Sequence, residues 1–374
     1  MLVHLAVLGL VCFLGVLIYQ RDTDPLLRER NLIKKNRMFV ILVVACLFVV
    51  IAFRANTVGL DTPTYYAYFR ILDRRPGYAA VLGWEPLYLL INRIGTLFDS
   101  YQFVLAVCAG ITVVGYGYFC YKNTDRNTSA FWFFYFFITL NLYFNSMHLV
   151  RQMCAIAISI NVYTVLKQGT SVKSYIKAAI LLVLGACFHI SAVIAVAFMV
   201  PFMLKKVSRR TIFWVVVICL IGIAFLTVAQ GLVFKLVPRF AKYLNDDRLS
   251  EGHAGVYSIV MIALKIFMIV YCLKLDDKNP NNQEIYRLTF ITVIGTAFYI
   301  LQFRTQFALR IGYYFESFMP LYIPVFIRRI KGKSNRTLAY ILMFLFGLTY
   351  FIYMMEFGGV KSNRGCVPYS FFWQ

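Results

Sequence analysis

Two helix-spaced stripes carry the chemistry that is easiest to read in this chain. His148, Arg151, Gln152 and Ala155 fall at i, i+3, i+4 and i+7, and Arg310, Tyr313, Tyr314 and Ser317 repeat that spacing. On a helix such positions share one face. Arg304 lies six residues before the second stripe, and Arg54 opens a polar, turn-prone stretch that contains Gly59, Asp61, Pro63 and Tyr65. A guanidinium keeps its charge and offers a planar fork that matches phosphate oxygens. A tyrosine face can stack on a sugar ring while its hydroxyl hydrogen-bonds. Asp61, Glu85 and His189 are the groups that could accept or orient a hydroxyl proton. Each residue also has a plainer reading. Arg54 and Asp61 could form a surface ion pair, and Arg151 could be an anchor that snorkels to the interface. His189 could be a satisfied buried histidine, and Tyr313 and Tyr314 part of an aromatic belt.

The elements that must hold these residues follow from composition. Of 374 residues, 61% are hydrophobic and 14% charged, against about 45–50% and about 25% in soluble domains. An ordinary soluble enzyme, a disordered chain and a collagen-like chain are excluded. The expected fold class is an all-α polytopic integral membrane protein, a single transmembrane domain over residues 1–374. The net charge of +22 would suggest nucleic acid in a soluble chain. Here much of it is expected to be positive-inside charge facing anionic lipid. No nucleic-acid partner is expected, because no RNP motif, zinc finger or heptad seam is present. The nine cysteines are scattered without a C-x-x-C and read as small buried hydrophobes. The first apolar run, Met1–Tyr19, has no basic lead-in and no A-x-A exit, so it reads as a retained helix.

Apolar runs place twelve spans, near residues 2–19, 38–53, 101–121, 129–144, 149–166, 175–188, 191–204, 211–229, 255–273, 285–303, 307–327 and 337–355. Residues 79–98 carry Glu85, Pro86, Asn92 and Arg93, with Glu85, Tyr88 and Asn92 on one face. They suit a short interfacial or re-entrant helix, so residues 54–100 read as an outer-face polar segment with an amphipathic helix. Residues 174–204 would make one helix of about 46 Å, long for one crossing and short for two, and are expected as two short helices meeting near His189. The loop at residues 20–37 holds six Lys/Arg and is assigned to the cytoplasm. By alternation the later inside segments hold sixteen Lys/Arg, among them Arg328, Arg329, Lys331, Lys333 and Arg336, against nine in the outside segments that follow residue 100. Arg54–Tyr78, Arg151, His189, the loop at residues 231–253 and Arg304–Arg310 then share the outer side, where topology does not require arginine. The loop at 231–253, with mixed charge, is expected either as a lid or as a solvated loop.

No P-loop, G-x-S-x-G or H-E-x-x-H is present, and the D-x-D at Asp22-Thr23-Asp24 falls in the cytoplasmic loop at residues 20–37 rather than beside the outer arginines, so an ATP-driven pump is excluded, a nucleotide-sugar transferase is disfavoured, and no metal is expected. The ordered motifs Arg54 with Gly59-x-Asp61-x-x-x-Tyr65, Glu85-Pro86, Arg151-Gln152, Phe188-His189-x-Ser191-Ala192, Arg310-x-x-Tyr313-Tyr314 and Pro368-Tyr369-Ser370-Phe371-Phe372 span the chain. In them the sequence resembles the EpsG-type, Wzy-like polysaccharide polymerases of bacterial envelopes. The resemblance implies a GT-C-like architecture and a polymerase at the outer face of the cytoplasmic membrane. It would transfer a growing glycan from undecaprenyl diphosphate to the non-reducing end of an incoming lipid-linked repeat unit, for O-antigen, capsule or exopolysaccharide. No cofactor and no metal are implied. The implied partners are that lipid-linked oligosaccharide, membrane lipid and a co-polymerase that regulates chain length.

Under this reading Arg151 and Arg310 hold diphosphate, supported by Arg54, Arg304 and Gln152. Asp61 or His189 orients the acceptor, with Glu85 a third candidate base, and Tyr65, Tyr313 and Tyr314 stack on sugar. The rival readings are a flippase or transporter for lipid-linked glycan, an O-antigen ligase-like enzyme, and a membrane acyltransferase.

Overall fold

The structure is a computed structural model that describes residues 1–19, 25–124, 128–236, 255–276, 279, 282–357 and 363–374. In chain order its α-helices are α1 (Leu2–Ile18), α2 (Pro25–Ala52), α3 (Thr62–Arg74), α4 (Ala79–Leu82), α5 (Pro86–Leu97), α6 (Tyr101–Asn123), α7 (Ala130–Thr139), α8 (Leu142–His148) and α9 (Val150–Ser159). They continue as α10 (Asn161–Gln168), α11 (Val172–Ala186), α12 (Val200–Met203), α13 (Arg209–Leu236), α14 (Val256–Leu273), α15 (Gln283–Leu301), α16 (Gln306–Glu316), α17 (Met319–Ile327) and α18 (Lys333–Phe357). Among the described residues the extended structure is one antiparallel bridge between Arg54 and Phe371. The loop at residues 231–253 lies outside the described residues from position 237 onward.

The protein is an α-helical membrane protein. Among the described residues five helices are long and apolar enough to cross a bilayer: Asn31–Ala52 within α2, then α6, α14, α15 and α18. The outward faces of these helices are apolar, as at Phe267 (57% exposed) on α14 and Leu342 (56%) on α18, the inverse of a soluble surface. The expected twelve continuous spans are not found among the described residues, because several apolar runs are broken. Asn141 adopts φ 74° between α7 and α8, a left-handed conformation that Asn tolerates better than most residues. Between α9 and α10, Asn161 turns its side-chain amide onto the carbonyls of Ala157 (2.9 Å) and Gly115 (3.1 Å), so it competes with the regular helix ladder. Residues 174–204, expected as two short helices meeting near His189, break at Cys187–His189, and the second half is a 3-10 helix over Ile190–Phe198 followed by the short α12. Residues 79–98 do not form one continuous helix, being divided between α4 and α5. The twelve-residue α5 is about 18 Å long, against the roughly 30 Å of a hydrocarbon core.

The helices group into two compact units. The first comprises Met1–Val193 with Ile323–Gln374. Within it α6 packs against α2 and α9, and α7 contacts α1, α2 and α18. Phe133 through Ile138 on α7 are all fully buried, so this helix is covered on every side. The second unit, Ile194–Tyr322, centres on α15, which packs on α13, α14 and α16. All nine cysteines are free thiols.

Local signals place the segment that enters the site. Pro63 stands in the first turn of α3 and Pro86 opens α5, positions where the missing N–H costs nothing. Ser100 caps α6 by accepting from the Phe103 N–H at 3.2 Å, a standard way to satisfy an orphan helix donor. Gly83, at φ 58°, ends α4 and turns the chain into Trp84-Glu85.

Candidate active site

Within the first unit, four sequence-distant motifs meet at Arg151. The guanidinium donates from Nη1 to Glu85 Oε2 at 2.9 Å and from Nε to the Tyr65 hydroxyl at 3.5 Å. Its Cζ lies 5.2 Å from the Tyr65 ring centroid, 5.5 Å from Tyr88 and 6.0 Å from Trp84. These rings also contact one another edge-on, with Trp84 and Tyr88 5.0 Å apart. Arg151 is therefore held by a half-buried ion pair and an aromatic cage, whose rings attract a cation through their negative faces. Both side chains of the pair are shielded, at 19% and 9% exposure, where charge attraction is stronger than at an open surface. The Nη2 nitrogen makes no protein hydrogen bond among the described residues, which leaves one edge of the fork for an anion.

Glu85 has both oxygens engaged. While Oε2 takes Arg151, Oε1 accepts from the Ile190 N–H at 3.2 Å. One carboxylate thus ties α9 to the start of the 3-10 helix and, through its own position, to α5. The Leu87 N–H adds a main-chain bond to the Cys187 carbonyl at 3.0 Å. His189 sits in the break, half-buried, with Nδ1 2.6 Å from Ser191 Oγ and 3.3 Å from the Ser191 N–H. An N–H can only donate, so Nδ1 accepts; this pattern assigns the proton of the neutral ring to Nε2.

Asp61 immediately precedes α3, and its carbonyl accepts from the Tyr65 N–H at 3.0 Å. Asp61 and Tyr65 are thus one turn apart on the same side of the helix. Gln152 is buried at 4%.

Arg54 does a different job from the one expected. It is 1% exposed, and its three hydrogen bonds go to main-chain carbonyls, of Ile51, of Met147 at 3.1 Å and of Val58 at 3.4 Å. A guanidinium committed in this way pins the chain after α2 rather than presenting charge to a ligand. No ion pair with Asp61 is formed. Burial lowers the Arg54 pKa from its usual value. The C-terminal segment completes this junction. Ala55 donates to the Ser370 carbonyl (2.9 Å), Gly59 to Gly365 (2.8 Å), Leu60 to Arg364 (2.8 Å) and Phe372 to Phe53 (3.0 Å). The first and last motifs of the sequence therefore form one small structure, from which α3 departs.

The remaining expected residues belong to the second unit. Arg304 is exposed beyond α15, and Arg310 is half-buried on α16. Tyr313 and Tyr314 are 7% and 0% exposed, so neither presents an open ring face for a sugar. This corrects the expectation of exposed stacking platforms there.

Sequence reasoning missed Trp84 altogether and assigned Tyr88 only to a helix face. It also missed Lys265, which is fully buried on α14 and paired with Glu316 of α16. Its ammonium lies 3.7 Å from the Tyr299 ring centroid. The available signal was a lysine inside an apolar span, itself a marker of function. Among the described residues no cluster of His, Cys, Asp or Glu could hold a metal ion.

Comparison with known proteins gives one family. The EpsG family model matches residues 37–371, a range that takes in every motif from Arg54 to Phe371. No curated protein and no solved structure matches the chain.

Proposed function

Because the chain belongs to the EpsG family, with a polymerase-like role in polysaccharide biosynthesis, we propose that it joins undecaprenyl-diphosphate-linked repeat units at the outer face of the bacterial cytoplasmic membrane. The observation that carries this reading is Arg151, fixed between Glu85 and three aromatic rings with one guanidinium edge open. An enzyme that displaces a diphosphate needs preorganised positive charge where negative charge develops, and removing one such donor costs about 10²–10³-fold in rate. A GT-C-like architecture belongs to the same proposal, as does the co-polymerase as partner.

The acceptor hydroxyl oxygen attacks the anomeric carbon of the growing glycan. The bond from that carbon to the phosphate oxygen breaks, and the diphosphate leaves with the electron pair, met by Arg151. The hydroxyl proton passes to a base. Glu85 is poorly suited, since both its oxygens are occupied, and acts by positioning Arg151. His189, whose Nδ1 accepts from the Ser191 N–H, can orient an oxygen through Nε2. Asp61 is left as the candidate base. Tyr65, beside Arg151, and the neighbouring Trp84 can flank a sugar.

The test is to express Arg151→Lys and Arg151→Ala in cells lacking the native gene, and to compare envelope polysaccharide with the lipid-linked pool. Both variants are expected in the membrane at native levels. Long polymer should be lost, and single repeat units should accumulate on the carrier at the outer face. Lysine keeps the charge but not the fork, so normal polymer length in Arg151→Lys overturns the role given to that residue. Single units trapped at the cytoplasmic face would identify a flippase, and full-length polymer lacking only a substituent would identify an acyltransferase.

A further inference from the structure

Within the first unit, the spanning helices α2 and α6 pack antiparallel. A Cβ at Gly117 would collide with Val44, one at Gly110 would touch Phe48, and Gln102 donates to the Ala52 carbonyl. A groove of about 240 Å³ opens between the two helices. On α2 it is walled by Arg37, Val40, Ile41 and Val44, at i, i+3, i+4 and i+7. On α6 it is walled by Val114, Gly117, Tyr118 and Tyr121, at the same spacing. Each helix therefore turns one continuous face to the groove. The groove is open to the surroundings, since Ile41 is 58% and Val114 60% exposed. Charge is found at one end only. Arg37 stands at that end on α2, and the antiparallel packing sets it near Tyr121 in the last turn of α6. Lys122 follows, with its ammonium 5.7 Å from the Tyr118 ring centroid and 5.6 Å from that of Tyr121. It thus stands at the rim beside two rings of the wall. Arg37 and Lys122 are both exposed, and neither makes a hydrogen bond or ion pair among the described residues. No acidic residue lines the groove.

The apolar wall and the basic end belong to one groove, and together they select an amphiphile. A free anion would meet Arg37 and leave the apolar wall uncovered. An apolar helix from a second copy would cover the wall and leave two cations without counter-charge. A lipid phosphate joined to an acyl chain answers both parts. We propose that this groove binds one anionic phospholipid of the bilayer, with an acyl chain along Ile41, Val44 and Val114 and the phosphate at Arg37. A guanidinium fork can take two phosphate oxygens. The Lys122 ammonium and the hydroxyls of Tyr118 and Tyr121 supply further donors around them. The basic end lies on the side of residues 20–37, which the count of lysines and arginines assigns to the cytoplasm, where the leaflet is rich in anionic lipid. Basic pockets between transmembrane helices on that side recognise lipid headgroups. The lipid-linked sugar proposed for Arg151 is handled at the opposite face, so this site is distinct from it and does not rest on the reaction assigned there.

The test uses the purified full chain in detergent, titrated with phosphatidylglycerol or phosphatidylcholine of matched acyl chains and read by native mass spectrometry. Phosphatidylglycerol is expected to be retained in preference to phosphatidylcholine. The double variant Arg37→Gln with Lys122→Gln should weaken phosphatidylglycerol retention about tenfold or more, as expected for the loss of two charges near an anionic headgroup. Each single replacement should weaken it by a smaller factor. Both side chains are exposed, so the fold should tolerate these changes. The exchange Arg37→Lys with Lys122→Arg should keep the preference. Val114→Trp fills the groove and leaves both charges in place; it should lower retention of both lipids. Equal retention of the two lipids by the native chain overturns the proposal, and so does unchanged phosphatidylglycerol binding in the neutral double variant or in Val114→Trp. Displacement of phosphatidylglycerol by millimolar inorganic phosphate would assign the groove to a free anion. A dimer in lipid-free detergent that Val114→Trp dissociates would assign it to a second copy of the chain. Either result overturns the lipid reading.

Discussion

At the scale of single residues, the ion pair between Arg151 and Glu85 separates charge from shape. Glutamine at position 85 can still accept from the Ile190 N–H and reach Arg151, but it lacks the charge that fixes the fork. Glu85→Gln should therefore leave measurable polymer, slowed about tenfold, while Glu85→Ala should leave almost none, because Arg151 then stays half-buried without its partner. Polymer synthesis in membrane vesicles checks this; equal loss in both variants would make Glu85 the base. Arg151, Glu85, Tyr65 and His189 were legible in the sequence, because charged or polar groups in apolar surroundings are few. Trp84 was not, since one more aromatic residue among 17% aromatics carries no signal until its ring is seen against Arg151. Arg54 was legible as important and misread in role, because spacing reveals a charge but not whether carbonyls or a ligand will meet it.

At the scale of elements, two contacts set geometry that periodicity cannot show. Gly59 has φ 96°, and a Cβ there would collide with the Met147 carbonyl oxygen. Gly59→Ala should cost at least about 1–3 kcal/mol of stability from backbone strain alone, and should lower the thermal midpoint in detergent and polymer output together. In the second unit, Lys265 and Glu316 join α14 to α16. Removing one partner of a buried pair typically costs about 3–5 kcal/mol, whereas replacing both with apolar residues is often neutral. Lys265→Met should be strongly destabilised, and the double variant Lys265→Met with Glu316→Leu should recover most of the loss. Additive losses in thermal unfolding would show that the pair does not act as a unit. Helices such as α6 and α18 were readable because a long apolar run has few other options. The breaks at Asn141 and Asn161 were not, because they depend on a left-handed backbone at one asparagine and on the side chain of the other competing for backbone carbonyls, within runs that are otherwise apolar.

At the scale of the whole molecule, the first and last motifs are one structure. The Tyr369 hydroxyl donates to the Val50 carbonyl at 2.8 Å, and His4 Nε2 lies 2.9 Å from the Cys366 carbonyl. A chain stopped after Phe357 leaves the backbone donors of Ala55, Gly59 and Leu60 unpaired beside the buried Arg54, and α3 loses its foundation. We expect such a truncation to insert into the membrane, to lose polymer synthesis, and to become sensitive to protease near residues 53–65. A truncated chain with native activity would show that the junction is dispensable. The same junction has a consequence in time. Val50 and Tyr369 are 319 positions apart, so at about 5–20 residues per second of synthesis roughly 16–64 s pass before the end of α2 meets its partner. During that interval Arg54 is already at the membrane while the carbonyl partners on α8 and the late tail arrive one after the other. The junction from which α3 departs is thus completed late, and a chain released before residue 364 lacks it.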